Sequence, residues 1–192
     1  VSHDEPFQRL FHQGMILGED GEKMSKSRGN VINPDDVVAK YGADTLRLYE
    51  MFMGPLDRDK PWSMQAIEGV YRFMQRSWRL FQEETKDGEP RFCVTDVAPT
   101  EEDIKILHKT VKKVTEDIEG LRFNTAISQM MVFVNHFTKE NRFPRACLKP
   151  FVQLLCPFSP HAAEELWEML GEKESLNYAK WPAFDPALAK DD

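Results

Sequence analysis

The sequence predicts a mainly α-helical protein, in which an antiparallel helical bundle over residues 63–171 follows a smaller segment of mixed structure. Two observations support this prediction. Beyond residue 63 the apolar residues recur at spacings of three and four, which is the pattern of amphipathic helices with one buried face. Short loops rich in Gly, Pro, Asn and Asp separate these segments, and helices joined by short loops pack as antiparallel neighbours.

Composition and charge narrow the class of protein. The 192 residues carry a net charge of -7 and are 41% hydrophobic, which is typical of a globular chain with a buried core. No apolar run reaches the roughly 20 residues that span a bilayer, and the N-terminus lacks a basic and apolar leader, so we expect neither membrane insertion nor secretion. The three cysteines are not spaced as metal ligands, so we expect no zinc site. Their odd number also argues against a disulfide framework, so we expect a reducing cytoplasm. The cysteines are Cys93, Cys147 and Cys156.

The first 62 residues predict one strand, one loop and two short helices, in that order. Residues 14–18 form a short apolar run that enters a turn of Gly and Asp, as at the end of a strand. The loop at residues 23–30 follows. A capping asparagine and a proline then predict a helix over residues 34–41, and a second short helix is predicted over residues 44–52.

A long helix is predicted from Met64, because six apolar residues that share one helical face follow it. Arg72, Arg76 and Arg79 recur at the same spacing but, at 100° per residue, lie on the side opposite that face. The segment at residues 87–90 is predicted to be a loop. The six apolar residues are Ile67, Val70, Tyr71, Met74, Trp78 and Phe81.

A helix that opens at Thr100 has the clearest N-terminal signal in the chain. Asp103 stands three residues on, which is the arrangement of a capping box with Asp in the usual Glu position. Its predicted buried face consists of apolar residues at helical spacing, and its lysines lie on the opposite, solvated face. The apolar residues are Ile104, Leu107, Val111, Val114, Ile118 and Leu121, and the lysines are Lys105, Lys109 and Lys112.

Three more helices complete the predicted bundle. Asn124 is expected to cap the first, Pro144 to open the second, and Pro150 to bend or shorten that second helix. The third is predicted over residues 160–170, between a proline at its first turn and a glycine that stops it. The tail, residues 172–192, is expected to be extended.

One loop combines residues suited to phosphate chemistry. It reads KMSKS, lies between glycines and is followed by Arg28. Two ammonium groups three residues apart can neutralise the triphosphate of ATP as pyrophosphate leaves, while the serine hydroxyls and loop amides donate further hydrogen bonds. For the pentapeptide alone, a chance Lys/Ser-rich surface loop is the alternative. The residues of the motif are Lys23, Met24, Ser25, Lys26 and Ser27.

The surroundings of this loop resemble the end of the catalytic domain of class I aminoacyl-tRNA synthetases. The similar residues are GMIL before the loop, RGNVI after it and YGADTLR at residues 41–47. Within that class, residues 54–63 (GPLDRDKPWS), 123–127 (FNTAI) and 157–167 (PFSPHAAEELW) resemble the leucyl enzymes of the bacterial type. The resemblance extends over nearly the whole chain. An isoleucyl or valyl enzyme, or a noncatalytic RNA-binding helical module, is the alternative.

The resemblance implies a division of the chain. Residues 1–62 would be a small α/β remnant of the class I catalytic domain, residues 63–171 an anticodon-binding helical bundle, and residues 172–192 a tail. The His-Ile-Gly-His signature, the leucine pocket and the editing domain of the family have no counterpart in the sequence. The chain, which begins at Val1, is therefore expected to be a C-terminal fragment that is inactive alone.

The resemblance also implies roles for particular residues. Lys23 and Lys26 would stabilise the transition state that forms pyrophosphate, and the whole KMSKS loop would bind ATP, which brings Mg²⁺ with it; no metal site of the protein is expected. The basic stripe of Arg72, Arg76 and Arg79 would bind the stem of leucine tRNA, since neutralised phosphates dominate such binding. A solvated face, paired with acids four residues away, is the alternative for the stripe. The resemblance implies a monomeric, cytoplasmic ligase with ATP, leucine and leucine tRNA as substrates.

Several other side chains that could act in catalysis or binding are expected to have structural roles instead. His161 has no catalytic partner at a useful spacing, so a structural histidine is expected. Asp44 with Arg47 is expected to cap and steady the helix behind the loop. Aromatic residues at helical spacing favour the core, and the tryptophans expected there are Trp62, Trp78 and Trp167.

Overall fold

The computed structural model of the protein describes Glu5 and residues 7–190. Within these residues the chain folds into seven α-helices and two small sheets, so the mainly α class is confirmed. Residues 1–4, 6, 191 and 192, at the ends of the predicted first and last segments, lie outside the described residues. Of the helices in the described part, none is long and apolar enough to span a membrane.

The first segment closes on itself through a short parallel strand pair. Strand β1 (Ile16–Leu17) pairs with β2 (Lys60–Pro61), and the helices α1 (Pro34–Tyr41) and α2 (Ala43–Phe52) lie between them in sequence. As predicted, the Asn33 side chain caps α1 by accepting a hydrogen bond from the amide two residues on. The strand pair ties the residues before the KMSKS loop to those after α2, so the loop is anchored at both ends.

The bundle contains the five helices that the sequence predicts. Its core is built from aromatic rings on successive helices, and Phe133 and Phe151 stack with their centroids 4.7 Å apart. The longest two helices pack against each other, residues 145–155 pack on the first of them, and residues 160–169 pack on residues 145–155. The helices are α3 (Met64–Arg79), α4 (Glu101–Glu119), α5 (Phe123–Glu140), α6 (Arg145–Leu155) and α7 (Pro160–Met169).

Helix α3 buries a face that is rotated from the predicted one. Phe73 and Ser77 are buried beside Ile67 and Val70, whereas Trp78 lies half-buried at the edge. The Ser77 hydroxyl donates to the Phe73 carbonyl one turn earlier, at 3.0 Å, so the buried serine is satisfied within its own helix. A small polar residue can thus occupy the centre of the packed face and displace the tryptophan toward solvent.

The buried face of α4 also differs from the prediction, because it is partly polar. Asp103, Thr110 and Asp117 recur every seven residues and are buried, whereas Ile104 and Leu107 are half-buried. Each buried polar side chain bonds to a partner on α5, which offsets the cost of its burial. The partners occur in reverse order along α5, so the two helices are antiparallel. This polar ladder consists of Asp103–His136 (2.7 Å), Thr110–Gln129 (3.0 Å) and Asp117–Thr125 (2.6 Å).

The predicted loop after α3 is the turn of a β-hairpin whose two strands were not predicted. Strand β3 (Gln82–Glu84) pairs antiparallel with β4 (Pro90–Phe92), and Gly88 takes a positive φ of 81° in the turn between them. Each strand has only three residues, and most of their side chains are exposed or half-buried. Such short strands show no alternation of apolar and polar residues, so the sequence pattern does not reveal them.

The start of α5 differs from the prediction by two residues. Arg122 occupies the N-cap position and no side chain caps the helix, so the predicted cap at Asn124 is wrong. The reason is that the sharp turn before α5, where Leu121 has a positive φ of 56°, is held from α4 instead. There the Arg122 side chain donates to the Asp117 carboxylate and to the Glu116 carbonyl, at 2.8 and 2.9 Å.

Two features of the C-terminal part also depart from the predictions. Helix α6 passes through Pro150 and continues for a further five residues, so the predicted shortening does not occur. The tail is not simply extended, since Leu176–Tyr178 form a 3₁₀ turn in which Leu176 is buried. The Trp181 indole nitrogen donates to the Thr115 hydroxyl at 2.9 Å, which holds the tail against α4.

The corner between α4 and α5 is organised by one buried carboxylate. Asp117 is fully buried and accepts hydrogen bonds from the Lys113 ammonium, the Arg122 guanidinium and the Thr125 hydroxyl. Burial raises the pKa of Asp117, but the hydrogen bonds from these three residues outweigh burial and hold the pKa below its ordinary value. The ionised carboxylate therefore stabilises the folded corner.

Replacing this carboxylate tests its role. We expect Asp117→Ala to lower the free energy of unfolding by about 2 kcal/mol, because it removes charge-assisted hydrogen bonds whose cationic donors remain half-exposed and solvated. The loss should be present at neutral pH and fade as the pH falls through the carboxyl range, since the folded pKa is the lower one. Urea titration measures it, with Glu119→Ala, an exposed site on the same helix, as the control. Equal midpoints for both variants would contradict this role.

Candidate phosphate loop and nucleic-acid interface

The side chain of Asn30 holds the KMSKS loop in shape. Its carbonyl oxygen accepts a hydrogen bond from the Ser25 amide at 2.9 Å. Its amide nitrogen lies 3.1 Å from both carboxylate oxygens of Asp20 and 3.4 Å from the Lys23 carbonyl. Asn30 was not singled out from the sequence. Its sequence signal is its place in RGNVI, the segment after the motif that resembles the synthetases.

Asp20 anchors the loop from the preceding turn. The hydrogen bond from Asn30 is the main cause that lowers the pKa of Asp20, and the Glu22 amide adds a second hydrogen bond at 3.1 Å. The carboxylate is therefore ionised at neutral pH and remains an acceptor. Arg28 pairs with Glu22 at 3.4 Å, but both side chains are more than half exposed, so this ion pair contributes little.

Inside the loop, three backbone amides are engaged, and the first is that of Ser25, which bonds to Asn30. The Arg28 amide donates to the Ser25 carbonyl at 3.2 Å, and the Gly29 amide donates to the Lys26 carbonyl at 3.3 Å. Gly29 has a φ of 70°, a left-handed conformation that favours glycine. The Ser25 and Ser27 hydroxyls lie 3.2 Å apart on the exposed side. The loop is thus a turn that its own backbone hydrogen bonds close.

Two cations project from this closed turn. Lys23 and Lys26 are exposed, and neither forms an ion pair with any residue that the structure describes. Met24, between them, is half-buried and packs against the hydrophobic core. The motif therefore has one anchoring side chain and two ammonium groups that are available to an anion.

The pair predicted to steady the helix behind the loop contacts a distant helix instead. Asp44, in the first turn of α2, accepts a hydrogen bond from the Ala162 amide at 2.6 Å, and its other oxygen lies 2.8 Å from Nδ1 of His161. Arg47 donates to the Pro157 carbonyl at 3.2 Å. His161 therefore has the structural role that was predicted, with an acidic partner 117 positions away in the sequence.

The three arginines of the basic stripe do not share one environment. Arg72 and Arg79 are exposed and have no ion pair among the described residues. Arg76 is half-buried, its Nη1 donates to the side chain of Asn135 on α5 at 2.7 Å, and its Nε is buried without a partner. The prediction that all three lie opposite the packed face is wrong for Arg76, because the rotation of α3 brings this residue against α5.

The alternative of a stripe paired with neighbouring acids is not found. Glu68 accepts a hydrogen bond from the Tyr41 hydroxyl at 3.4 Å, and Glu83 pairs with Arg91 of the hairpin. Arg79 instead lies beside a groove of about 400 Å³ that is lined also by Trp78. Of the three tryptophans expected in the core, Trp62 and Trp167 are buried and Trp78 is half-buried.

Family models match both parts of the chain. The model described as tRNA synthetases class I (I, L, M and V) matches residues 1–63. The model described as the anticodon-binding domain of tRNA ligase matches residues 104–192. The first match contains the KMSKS loop, and the second contains helices α5 to α7 and most of α4.

Curated relatives and a solved structure agree with these matches. Leucine–tRNA ligases of Leptospira biflexa and Chlorobaculum parvum are each 56% identical to the chain, over 96% and 100% of its length, and the chain spans 21% and 23% of theirs. A LeuRS of Agrobacterium radiobacter K84, solved as a ternary complex with tRNA and LeuAMS, is similar with a TM-score of 0.81 and 30% identity. That similarity covers 98% of this chain and 26% of the other.

The role of Asn30 in holding the loop can be tested by proteolysis. We expect Asn30→Ala to increase trypsin cleavage after the cations of the loop about tenfold, since a hydrogen bond to a charged group contributes roughly 1.5 kcal/mol to the closed form. The measurement is the rate of appearance of the two fragments by mass spectrometry. Gln13→Ala, an exposed site outside the loop, serves as the control. Cleavage of both variants at the rate of the unaltered protein would contradict the role.

Proposed function

Because the chain belongs to the leucine–tRNA ligase family of class I aminoacyl-tRNA synthetases, we propose that it supplies the ATP-phosphate loop and a tRNA-binding bundle to an enzyme that activates leucine and transfers it to tRNA. The observation that supports this most strongly is a KMSKS loop whose two lysines have no ion pair among the described residues, on a chain that is 55–56% identical, over nearly all of its length, to leucine–tRNA ligases. The isoleucyl, valyl and noncatalytic alternatives are not favoured by these relatives.

The loop would act in the activation of leucine. In that step the leucine carboxylate attacks the α-phosphorus of ATP, and the bond to the β,γ-pyrophosphate breaks. Negative charge accumulates on the departing pyrophosphate, and the ammonium groups of Lys23 and Lys26 would neutralise it. The hydroxyls of Ser25 and Ser27 would donate further hydrogen bonds, since the amides of Ser25 and Arg28 are engaged within the loop.

Met24 and magnesium would have supporting roles. Met24 packs on the core and would hold the loop in place rather than contact phosphate, since its side chain is apolar and half-buried. Mg²⁺ would arrive bound to ATP and be held largely by phosphate oxygens, as is usual for this cation. In the described part of the chain, no group of three or more His, Cys, Asp or Glu residues is placed to hold a metal ion. The two carboxylates nearest the motif already have partners. Asp20 accepts a hydrogen bond from Asn30, and Glu22 pairs with Arg28.

We divide these roles between the two parts of the chain. Residues 1–62 would belong to the catalytic domain, residues 63–171 would form the tRNA-binding bundle, and residues 172–192 would be a tail packed on that bundle. The chain spans 21–24% of the length of its relatives, so we do not expect it to aminoacylate tRNA by itself. The whole ligase would be a monomer in the cytoplasm, a reducing compartment that suits three free cysteines.

On the bundle, the basic stripe would contact the tRNA backbone. Arg72 and Arg79 have no ion pair among the described residues, so their charges are available to phosphates. Arg76 is partly committed to Asn135 and would contribute less directly. Because leucine is encoded with several anticodons, we expect contacts with the tRNA body rather than a reading of anticodon bases.

Lys26 gives the first test, in the full-length ligase that contains this segment. We expect Lys26→Ala to lower the rate constant of leucine adenylation by roughly 10²-fold, the scale for loss of one preorganised charge-stabilising donor. Lys86→Ala, an exposed lysine in the hairpin turn, is the matched control and should leave the rate unchanged. The measurement is the rate of leucyl-adenylate formation in a single turnover, and an unchanged rate in Lys26→Ala would refute the assignment.

The basic stripe gives the second test. We expect the double variant Arg72→Ala and Arg79→Ala to weaken binding of leucine tRNA and to reduce the slope of log affinity against log salt by about 2, because two phosphate contacts are lost. Arg76→Ala should additionally lower the melting temperature, since it removes a contact between α3 and α5. Filter binding at several salt concentrations measures the slope, and Lys112→Ala on α4 is the control. An unaltered slope would show that the stripe does not face the RNA.

A further inference from the structure

Three side chains join the loop-bearing segment to the far end of the bundle. Asp44 and Arg47 lie one turn apart on α2, so they face the same neighbour. Asp44 reaches the first residues of α7, where it meets the Ala162 amide at 2.6 Å and Nδ1 of His161 at 2.8 Å. Arg47 reaches the Pro157 carbonyl, three residues before α7, at 3.2 Å. We call these contacts the α2–α7 junction.

The carboxylate of Asp44 is the centre of this junction. Its side chain is 11% exposed, and both of its oxygens have donors on α7. The unpaired amides at the N-terminus of a helix carry partial positive charge, so a carboxylate is favoured there. His161 is 76% exposed, and its ring therefore covers Asp44 from the solvent side without filling a cavity.

The junction restrains a motion that apolar packing alone permits. Helix α2 also packs against α3 and α5, with Leu48 and Tyr49 fully buried. Apolar contact is non-directional, so it tolerates small rotations of one helix on another. Hydrogen bonds depend on distance and angle, so the three contacts of the junction fix the orientation of α2 on the bundle.

This orientation matters for the position of the KMSKS loop. The loop is followed by α1 and then by α2, and the strand pair β1–β2 ties both ends of this segment together. A rotation of α2 on the bundle therefore moves the whole segment, including Lys23 and Lys26, relative to the arginines on α3. In an enzyme that holds ATP with the loop and tRNA with the bundle, such a rotation separates the two substrates.

We propose that Asp44 is a positioning residue that, through the α2–α7 junction, sets the KMSKS loop relative to the tRNA-binding face of the bundle. The proposal rests on the proposed function, since it concerns the transfer step of that reaction. It assigns no chemical step to Asp44. Formation of the adenylate needs only the loop, ATP and leucine, whereas transfer also needs the tRNA held at the correct distance, so the two steps respond differently to a loosened junction.

Asp44→Asn in the full-length ligase is the primary test. Asparagine keeps the volume of the side chain but removes its negative charge, so the hydrogen bonds of the junction lose their charge assistance. We expect kcat for tRNA charging to fall about tenfold, because loss of this charge assistance shifts the population of the competent arrangement by about that factor. Leucine-dependent pyrophosphate exchange and KM for tRNA should stay within twofold of the unaltered enzyme.

A second variant and a control complete the test. His161→Ala removes the exposed imidazole and leaves the bond from the Ala162 amide, so it should fold normally and lower kcat for charging about threefold. The double variant should lose no more than Asp44→Asn alone, because both changes act on one contact. Glu165→Gln removes an exposed carboxylate from the same helix without touching α2, and it should charge tRNA at the normal rate.

The outcomes separate this proposal from the proposed function. Absence of leucine-dependent pyrophosphate exchange in the unaltered enzyme would refute the proposed function, whatever the junction variants do. Normal charging by both Asp44→Asn and His161→Ala would overturn the positioning role. So would an equal fall in exchange and charging, since that pattern indicates a general loss of folded enzyme. A fall in charging alone, with melting temperatures well above that of the assay, would support it.

Discussion

The placement of α2 is the constraint on which the rest of the structure depends. It lies between the loop-bearing segment and the bundle, and its centre is fully buried at Leu48 and Tyr49. The Tyr49 hydroxyl accepts a hydrogen bond from the Ser63 amide at 2.8 Å, directly before α3, and its ring packs edge-to-face on Trp62 at 4.8 Å. Helix α2 thus connects the loop-bearing segment to the start of the bundle and to α7.

Within the bundle, polar contacts determine the register that apolar packing leaves open. The polar ladder between α4 and α5 pairs buried side chains at three levels, so a shift by one turn would break the bonds of Asp103 to His136 and of Asp117 to Thr125. Buried polar groups that are fully bonded can specify one arrangement among several with similar apolar burial. The aromatic stack of Phe133 on Phe151 adds an apolar contact between α5 and α6.

In the loop, the residues that hold its shape are also different from those that carry its positive charge. Asn30 and the ionised carboxylate of Asp20 shape it through hydrogen bonds, and Met24 anchors it to the core. Lys23 and Lys26 take no part in holding this shape, so their charges remain for a ligand. On α3 the arginines are divided likewise, with Arg76 used for packing and the others left exposed.

The sequence by itself determined the seven helices, the α1 cap and the KMSKS motif, because these depend on residues within about four positions of one another. It determined the likeness to one synthetase family for the same reason, since motifs are local. Tertiary structure alone decided that Asp44 meets His161, that Arg76 packs on Asn135 and that Asn30 shapes the loop. The two residues of the first pair are 117 positions apart in sequence, and those of the second are 59 apart. A hydrogen bond between such distant residues depends on how the helices pack, which no local pattern records.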